Sequence, residues 1–221
     1  MAYDLEEQEQ IANFKAFWNR FGNLISWVLI IALGGYAGYN FWNSHQSSKA
    51  AEASGLYDQL VAATQPNGGA ADSAKVQRIT GDIESKYDST AYAPMAALVA
   101  AKAAFDAGDL KTAKAQLQWA ADHGDDEIKS IARLRQSGVL LDEKAYDEAL
   151  KVLNGDFMPQ FAADVADRKG DVLVAQNKLA EARTAYQAAL DKMDKKHPGR
   201  QMVQIKLDSI GGAPAAAKAA T

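Results

Sequence analysis

A long uncharged run near the N-terminus constrains the fold more than any other feature of the chain. No formally charged residue lies between Arg20 and Lys49, and the most apolar part, residues 24–42, contains 19 residues. A helix of about 20 apolar residues crosses a hydrocarbon layer of about 30 Å. The run therefore predicts a single transmembrane helix over residues 23–43.

A cleaved secretory signal is the alternative explanation of the same run. Signal sequences usually place about 7 to 15 apolar residues after a short basic start. This leader instead contains the acidic residues Asp4, Glu6, Glu7 and Glu9, and its apolar run is longer, although the Ala-Glu-Ala sequence at residues 51–53 resembles a cleavage site. The length and the flanking charges favour a retained anchor.

The charges that flank the run indicate its orientation. Lys15 and Arg20 lie just before it, whereas only Lys49 lies close after it. Because positive residues collect on the cytoplasmic side of a membrane helix, residues 1–22 are predicted to be a short cytoplasmic segment. The domain that follows is then exported.

Gly34 and Gly38 form a small-x-x-x-small pair on one face of the predicted span. Such a notch lets a second membrane helix approach closely. The alternative is that these glycines line nothing, because small residues are common in membrane helices. We identify the pair as a candidate helix contact.

Three alanine-rich segments after the span follow one pattern. They begin at Ala100, Gln136 and Lys169 and read AAKAAFDAGDLKTAKAQLQWA, QSGVLLDEKAYDEALKVLNGD and KGDVLVAQNKLAEARTAYQAA. Small residues let two antiparallel helices cross closely, so the repeated spacing predicts stacked helix pairs. The residues predicted to pack at the crossings are Ala101, Ala113, Ser137, Ala149, Gly170, Ala182 and Tyr186.

This pattern resembles the tetratricopeptide repeat, and the third segment matches it best at the small and aromatic positions. The turns within the pairs are predicted at residues 108–109, 143–144 and 176–177. The predicted fold class is all-α, with an N-terminal single transmembrane helix followed by a tetratricopeptide-repeat-like α-solenoid. The repeat domain is predicted to occupy residues 44–210, and residues 211–221 to form a flexible tail.

Composition argues against nucleic acid binding and catalysis. The formal net charge is -4, and the basic residues are dispersed among acids rather than clustered as phosphate binding requires. With no cysteine, thiol nucleophiles and thiolate metal sites are excluded. His45, His123 and His197 lie apart, and no phosphate-binding loop, zinc-protease motif or nucleophile elbow is present. We predict a protein that is not an enzyme and has no cofactor or metal.

Stacked helix pairs form a concave surface lined by the first helix of each pair. The repeat register assigns to that surface the residues Leu98, Lys102, Phe105, Leu134, Leu141, Asp164, Asp167 and Asp171. They predict an apolar groove that ends in an acidic patch and takes an extended or helical partner segment. The alternative is that the apolar members belong to the core between repeats.

The whole chain is similar to the YfgM family of Gram-negative bacteria. The resemblance rests on the acidic N-terminus, the boundary motif GYNFWNSHQ, the alanine-rich repeats and the closing segment ADRKGDVLVAQNKLAEARTAYQAAL. It implies a single-pass inner-membrane protein with periplasmic repeats, ancillary to the SecYEG translocon. It also implies association with PpiD, a membrane-anchored periplasmic chaperone, and transfer of exported nascent chains to periplasmic chaperones.

The span and the repeats predict a membrane-tethered protein-protein interaction scaffold, and the resemblance implies that it acts at the Sec translocon. Two alternatives belong to other classes. One is a signalling or regulatory subunit that acts through residues 1–20. The other is an envelope or division scaffold that assembles with itself through its repeats.

Overall fold

The structure is a computed structural model that describes residues 3–65 and 72–212. Every regular element within those ranges is helical, with nine α-helices and one short 3-10 helix. The predicted all-α fold class is confirmed. Residues 213–221, most of the predicted tail, lie outside the described ranges.

The chain divides into two compact units, Met1–Lys49 and Ala50–Thr221. Helix α1, Tyr3–Thr64, contains the described part of the first unit and opens the second. In the first unit the apolar side chains are exposed on all sides of the helix, with Ile31 and Phe41 at 70% and 76%. A helix that is apolar all round is typical of a membrane span. Within the described residues, this is the one helix long and apolar enough to cross a membrane.

The second unit is built from consecutive helices joined by short connections. They are α2 Ser73–Lys86, α3 Tyr92–Asp106, α4 Leu110–His123, α5 Asp126–Asp142, α6 Tyr146–Leu153, the 3-10 helix Pro159–Phe161, α7 Ala162–Ala175, α8 Leu179–Lys192 and α9 Arg200–Ser209. From α2 onward each α-helix packs on the next, and α5 also contacts α3 and α7. The first helices of the three pairs therefore lie side by side, as in a stacked solenoid.

The three helix pairs turn in the same way. A residue with positive φ stands at the equivalent place in each turn: Gly108 at 78°, Lys144 at 62° and Asn177 at 60°. Glycine adopts this left-handed conformation readily and asparagine tolerates it, whereas lysine does so less often. All three turns lie at the positions predicted from the sequence.

Two apolar clusters close the ends of the repeat unit. At one end, Leu60 of α1 is buried with Ile79 and Ile83 of α2 and alanines of α3. At the other, Val203 and Leu207 of α9 are buried against α7 and α8. Helix α9 therefore covers the apolar face that the last pair would otherwise expose.

Candidate functional site

The residues at the helix crossings form the framework of the site. Ala101, Ala113, Ser137, Ala149, Gly170, Ala182 and Tyr186 are all buried. At the last crossing a Cβ on Gly170 would overlap the Tyr186 ring, so only glycine fits there without a shift. The buried Ser137 hydroxyl donates a 2.7 Å hydrogen bond to the Leu134 carbonyl.

The apolar residues assigned to the groove separate into two groups. Leu98 is only 7% exposed and packs in the core, while Leu134 and Leu141 pack against a cluster that α5 shares with α6 and α7. Leu134 and Leu141 are two turns apart on one helix face, and that face is directed into the core. Phe105 is 40% exposed and lines an open cavity. The alternative assignment to the core therefore describes the three leucines better.

The open cavity lies between the first helices of the three pairs. We call this hollow of about 360 Å³ the basic cavity. Its apolar lining comes from Ala101, Phe105, Leu117 and Val139. Its charged lining comes from Lys102, Arg135, Asp142 and Arg168.

A second hollow continues from the basic cavity. We call it the adjoining cavity; its volume is about 470 Å³, and Lys102 and Arg135 line both hollows. Its apolar lining includes Tyr57, Val61 and Val99. The two hollows together form a surface depression with cations at their junction, which we call the basic groove.

The two arginines of the basic groove have few partners. Arg135 is exposed, and its Nη1 lies 3.5 Å from the Leu98 carbonyl oxygen. Arg168 crosses α5 at Gly138, where a Cβ would lie 3.4 Å from Arg168 Nη1. Within the described part of the chain, neither guanidinium forms an ion pair. Lys102 differs, because it pairs with Asp106 at 2.6 Å.

The predicted acidic patch is largely an internal ion-pair network. Lys206 Nζ lies 2.9 Å from Asp167 Oδ1 and 2.8 Å from Asp171 Oδ1. Tyr186 donates a 2.9 Å hydrogen bond to Asp171 Oδ1. Burial raises the pKa of Asp167, and Lys206 opposes that shift. Only Asp164 of the three predicted acids is exposed, so the prediction of an open acidic patch is corrected.

Sequence reasoning missed the two arginines, although a signal for them is present. Arg135 and Arg168 are 33 residues apart, which is also the spacing of Ala149 and Ala182. They therefore occupy equivalent positions in the second and third pairs. The predicted register selected Leu134 and Asp167, each one residue earlier on the helix.

Two other predicted features fall outside the groove. A Cβ at Gly34 or at Gly38 would meet nothing within 4 Å, so the notch on the apolar helix is open. His123, the last residue of α4, stacks on Trp119 with ring centroids 4.0 Å apart. In the residues that the structure describes, no cluster of three metal-ligating side chains occurs.

Comparison with known proteins agrees with this architecture. A family model described as a tetratricopeptide repeat-like domain matches residues 15–212. A Neisseria gonorrhoeae protein named ancillary SecYEG translocon subunit is 35% identical over 95% of this chain and 100% of its own length. A Haemophilus influenzae protein of the same name is 32% identical over 95% of this chain and 100% of its own length. An Escherichia coli protein of the same name is 30% identical over 92% of this chain and 96% of its own length.

Proposed function

Because this chain belongs to the YfgM family, we propose that it is a non-enzymatic, membrane-tethered scaffold that helps to pass exported proteins from the Sec translocon to periplasmic chaperones. A Sec-associated protein-interaction role follows from the name that its relatives carry. The observation that carries the finer proposal is the combination of one apolar span with a repeat domain that has an open groove. Stacked helix pairs of this type bind partner segments along such surfaces.

The proposed arrangement assigns one task to each part of the chain. Residues 1–22 lie in the cytoplasm, residues 23–43 cross the inner membrane, and residues 44–210 and the tail 211–221 lie in the periplasm. Lys15 and Arg20 before the span support this orientation. Tethering raises the local concentration of the groove at the translocon exit, so weak binding is enough to hold a partner there. The proposed partners are SecYEG, a PpiD-like chaperone and exported nascent chains.

Protease access in spheroplasts tests the orientation. We expect the repeat domain to be digested once the outer membrane is opened, while the undigested protein is full length and bound to the membrane. If the repeats stay protected until the inner membrane is lysed, the domain is cytoplasmic and the proposed transfer at the exit is wrong. A shorter, released protein would identify a cleaved signal instead.

Membrane contact with the translocon is tested through the glycine notch. Gly34 and Gly38 leave room for close approach of another helix. We expect the double substitution Gly34→Leu and Gly38→Leu to reduce co-purification of SecYEG from gently solubilised membranes. The matched control is Ala32→Leu, which enlarges a small residue on the opposite helix face. If the same amount of SecYEG co-purifies with both variants, the notch is not a contact with the translocon.

A further inference from the structure

We propose that the basic groove binds an extended partner segment in which an acidic side chain lies between large apolar side chains, with Arg135 and Arg168 holding the carboxylate. The inference rests on the proposed function, because it names the ligand class of the same groove. It replaces the acidic surface expected from the sequence with a basic one. The partner class is an unfolded segment of another protein.

Charge complementarity is the first argument for this occupant. The basic groove is lined by three cations, Lys102, Arg135 and Arg168, and by two carboxylates, Asp106 and Asp142. Lys102 is paired with Asp106, but Arg135 and Arg168 have no carboxylate within ion-pairing distance in the described ranges. Two guanidinium groups beside one hollow therefore offer unused donors to an incoming carboxylate. Arginine suits this role because its planar fork can donate two parallel hydrogen bonds to one carboxylate.

The placement of Arg168 is the second argument. Its side chain reaches from α7 across α5 at Gly138, the one position there without a Cβ. The side chain is partly buried, so its freedom is already reduced before a ligand arrives. Preorganised donors lose less entropy on binding than mobile ones. Arg168 thus has the features of a binding side chain rather than those of a solvated surface charge.

The apolar lining on both sides of the cations is the third argument. The basic cavity is bounded by Phe105, Leu117 and Val139, and the adjoining cavity by Tyr57 and Val61. Because Lys102 and Arg135 line both hollows, an occupant that fills both must cross the cations. An extended segment with apolar side chains on either side of an acidic side chain matches this sequence of apolar hollow, cations and apolar hollow. A compact anion would use the cations and leave the apolar hollows empty.

The first experiment varies the ligand. Full-length protein in detergent micelles is titrated against fluorescein-labelled peptides of about 12 residues, followed by fluorescence anisotropy. The reference peptide carries one glutamate between two leucines in a glycine-serine background. Loss of the charge-assisted pair is expected to weaken binding about tenfold when glutamine replaces glutamate. Replacing the leucines with serines is expected to weaken binding by at least as much.

The second experiment varies the protein. Arg135→Glu together with Arg168→Glu is expected to abolish binding of the glutamate peptide and to permit binding of a lysine peptide of the same design. Arg78→Glu is the matched control, because Arg78 is exposed on α2 and lines neither hollow. Phe105→Ser is compared in the same way with Met202→Ser on α9, an exposed apolar residue outside the groove. Unchanged thermal unfolding shows that a variant is folded.

The outcomes separate the inference from the proposed function. Equal binding of the glutamate and glutamine peptides, or normal binding by the reversed-charge variant, overturns the inference. Concentration-dependent self-association that the same variant abolishes also overturns it, because the groove then holds a second copy. If peptide binding fails these tests while SecYEG still co-purifies with the full chain, the proposed function stands without this ligand class. If SecYEG does not co-purify, the proposed function itself fails.

Discussion

The second and third helix pairs follow one sequence pattern but pack differently. In the second pair, α5 and α6, the residues 33 positions before Gly170 and Tyr186 are Ser137 and Leu153, which are both buried, and α6 has only 8 residues. In the third pair, α7 and α8, Gly170 lies at the crossing with Tyr186, and α8 has 14 residues. A larger side chain on one helix is matched by a smaller residue on the other. The repeat therefore conserves the volume at a crossing rather than the residue type.

The two pairs are also completed by different means. After the short α6, the connecting segment is held to α5, because Ser130 Oγ accepts a 3.2 Å hydrogen bond from Met158 N and Arg133 donates one of 2.7 Å to the Asp156 carbonyl. The third pair is instead held to α9 by Lys206 and its two carboxylates. One pair is completed by hydrogen bonds between α5 side chains and the backbone of the connecting segment, and the other by an ion-pair network.

The largest loss of stability is expected when Gly170 in the third pair is replaced by serine, the residue at the equivalent position of the second pair. Gly170→Ser adds a side chain where the Tyr186 ring already lies, and overpacking of this kind costs about 3 kcal/mol of unfolding free energy. Combining it with Tyr186→Leu, which copies the second pair, is expected to recover part of that loss. Chemical denaturation of the single and double variants measures both changes. Additive losses would show that the two crossings are not equivalent.

Removal of the Lys206 charge is expected to have the next largest effect. Lys206→Met leaves Asp167 and Asp171 without their cation, and both side chains are about one-fifth to one-quarter exposed. We expect a loss of about 2 kcal/mol, below that of a fully buried pair because solvent screens the charges. Denaturation of the full chain in detergent is the measurement.

A lysine that joins α4 to the second pair is the matched control for Lys206. Lys114 forms one ion pair, to Glu143 at 2.7 Å, at the turn after α5. Its replacement by methionine leaves one carboxylate without its cation instead of two, so a loss below about 1 kcal/mol is expected. A larger loss from Lys114→Met than from Lys206→Met would reverse the comparison and make α9 a minor contributor.

The sequence predicts the helix pairs well because the signals for them are local. The turn residues Gly108 and Asn177 act within a few residues of the turns that they specify, and the small residues of each crossing lie on two consecutive helices. The groove is less predictable, because one residue rotates a helix position by about 100°. That single step exchanges Leu134 for Arg135 and so exchanges core for cavity lining.

The ion-pair network was not predictable from the repeat pattern for a different reason. Lys206 lies 39 residues after Asp167 and 35 after Asp171, on a helix outside the repeats. Only the packing of α9 onto the last pair brings these charges together. Acids that the pattern assigns to solvent are therefore neutralised by a residue that the pattern does not include.

The smallest expected effect is the pH dependence that Asp167 contributes to the free energy of unfolding. It tests the packing of the third pair directly. Burial raises the pKa of Asp167 above its ordinary value of 3.8, so the folded state holds this proton more tightly than the unfolded state. The contribution of Asp167 to stability is therefore greatest at low pH and decreases as pH rises from 3.8 through the raised folded value. Asp167→Asn should remove that decrease while Asp171 still pairs with Lys206.

The measurement is the free energy of unfolding across the acid range, taken as the difference between wild-type and variant profiles. Asp164→Asn is the control, because Asp164 is an exposed acid on the same helix. We expect the difference profile of Asp167→Asn to slope in the interval that begins at pH 3.8 and extends through the raised folded value. The equivalent position in the second pair is Leu134, 33 residues earlier, which does not titrate. A slope of the opposite sign would mean that Lys206 outweighs burial and that the network stabilises the ionised carboxylate, so the third pair would be strengthened rather than weakened as Asp167 ionises.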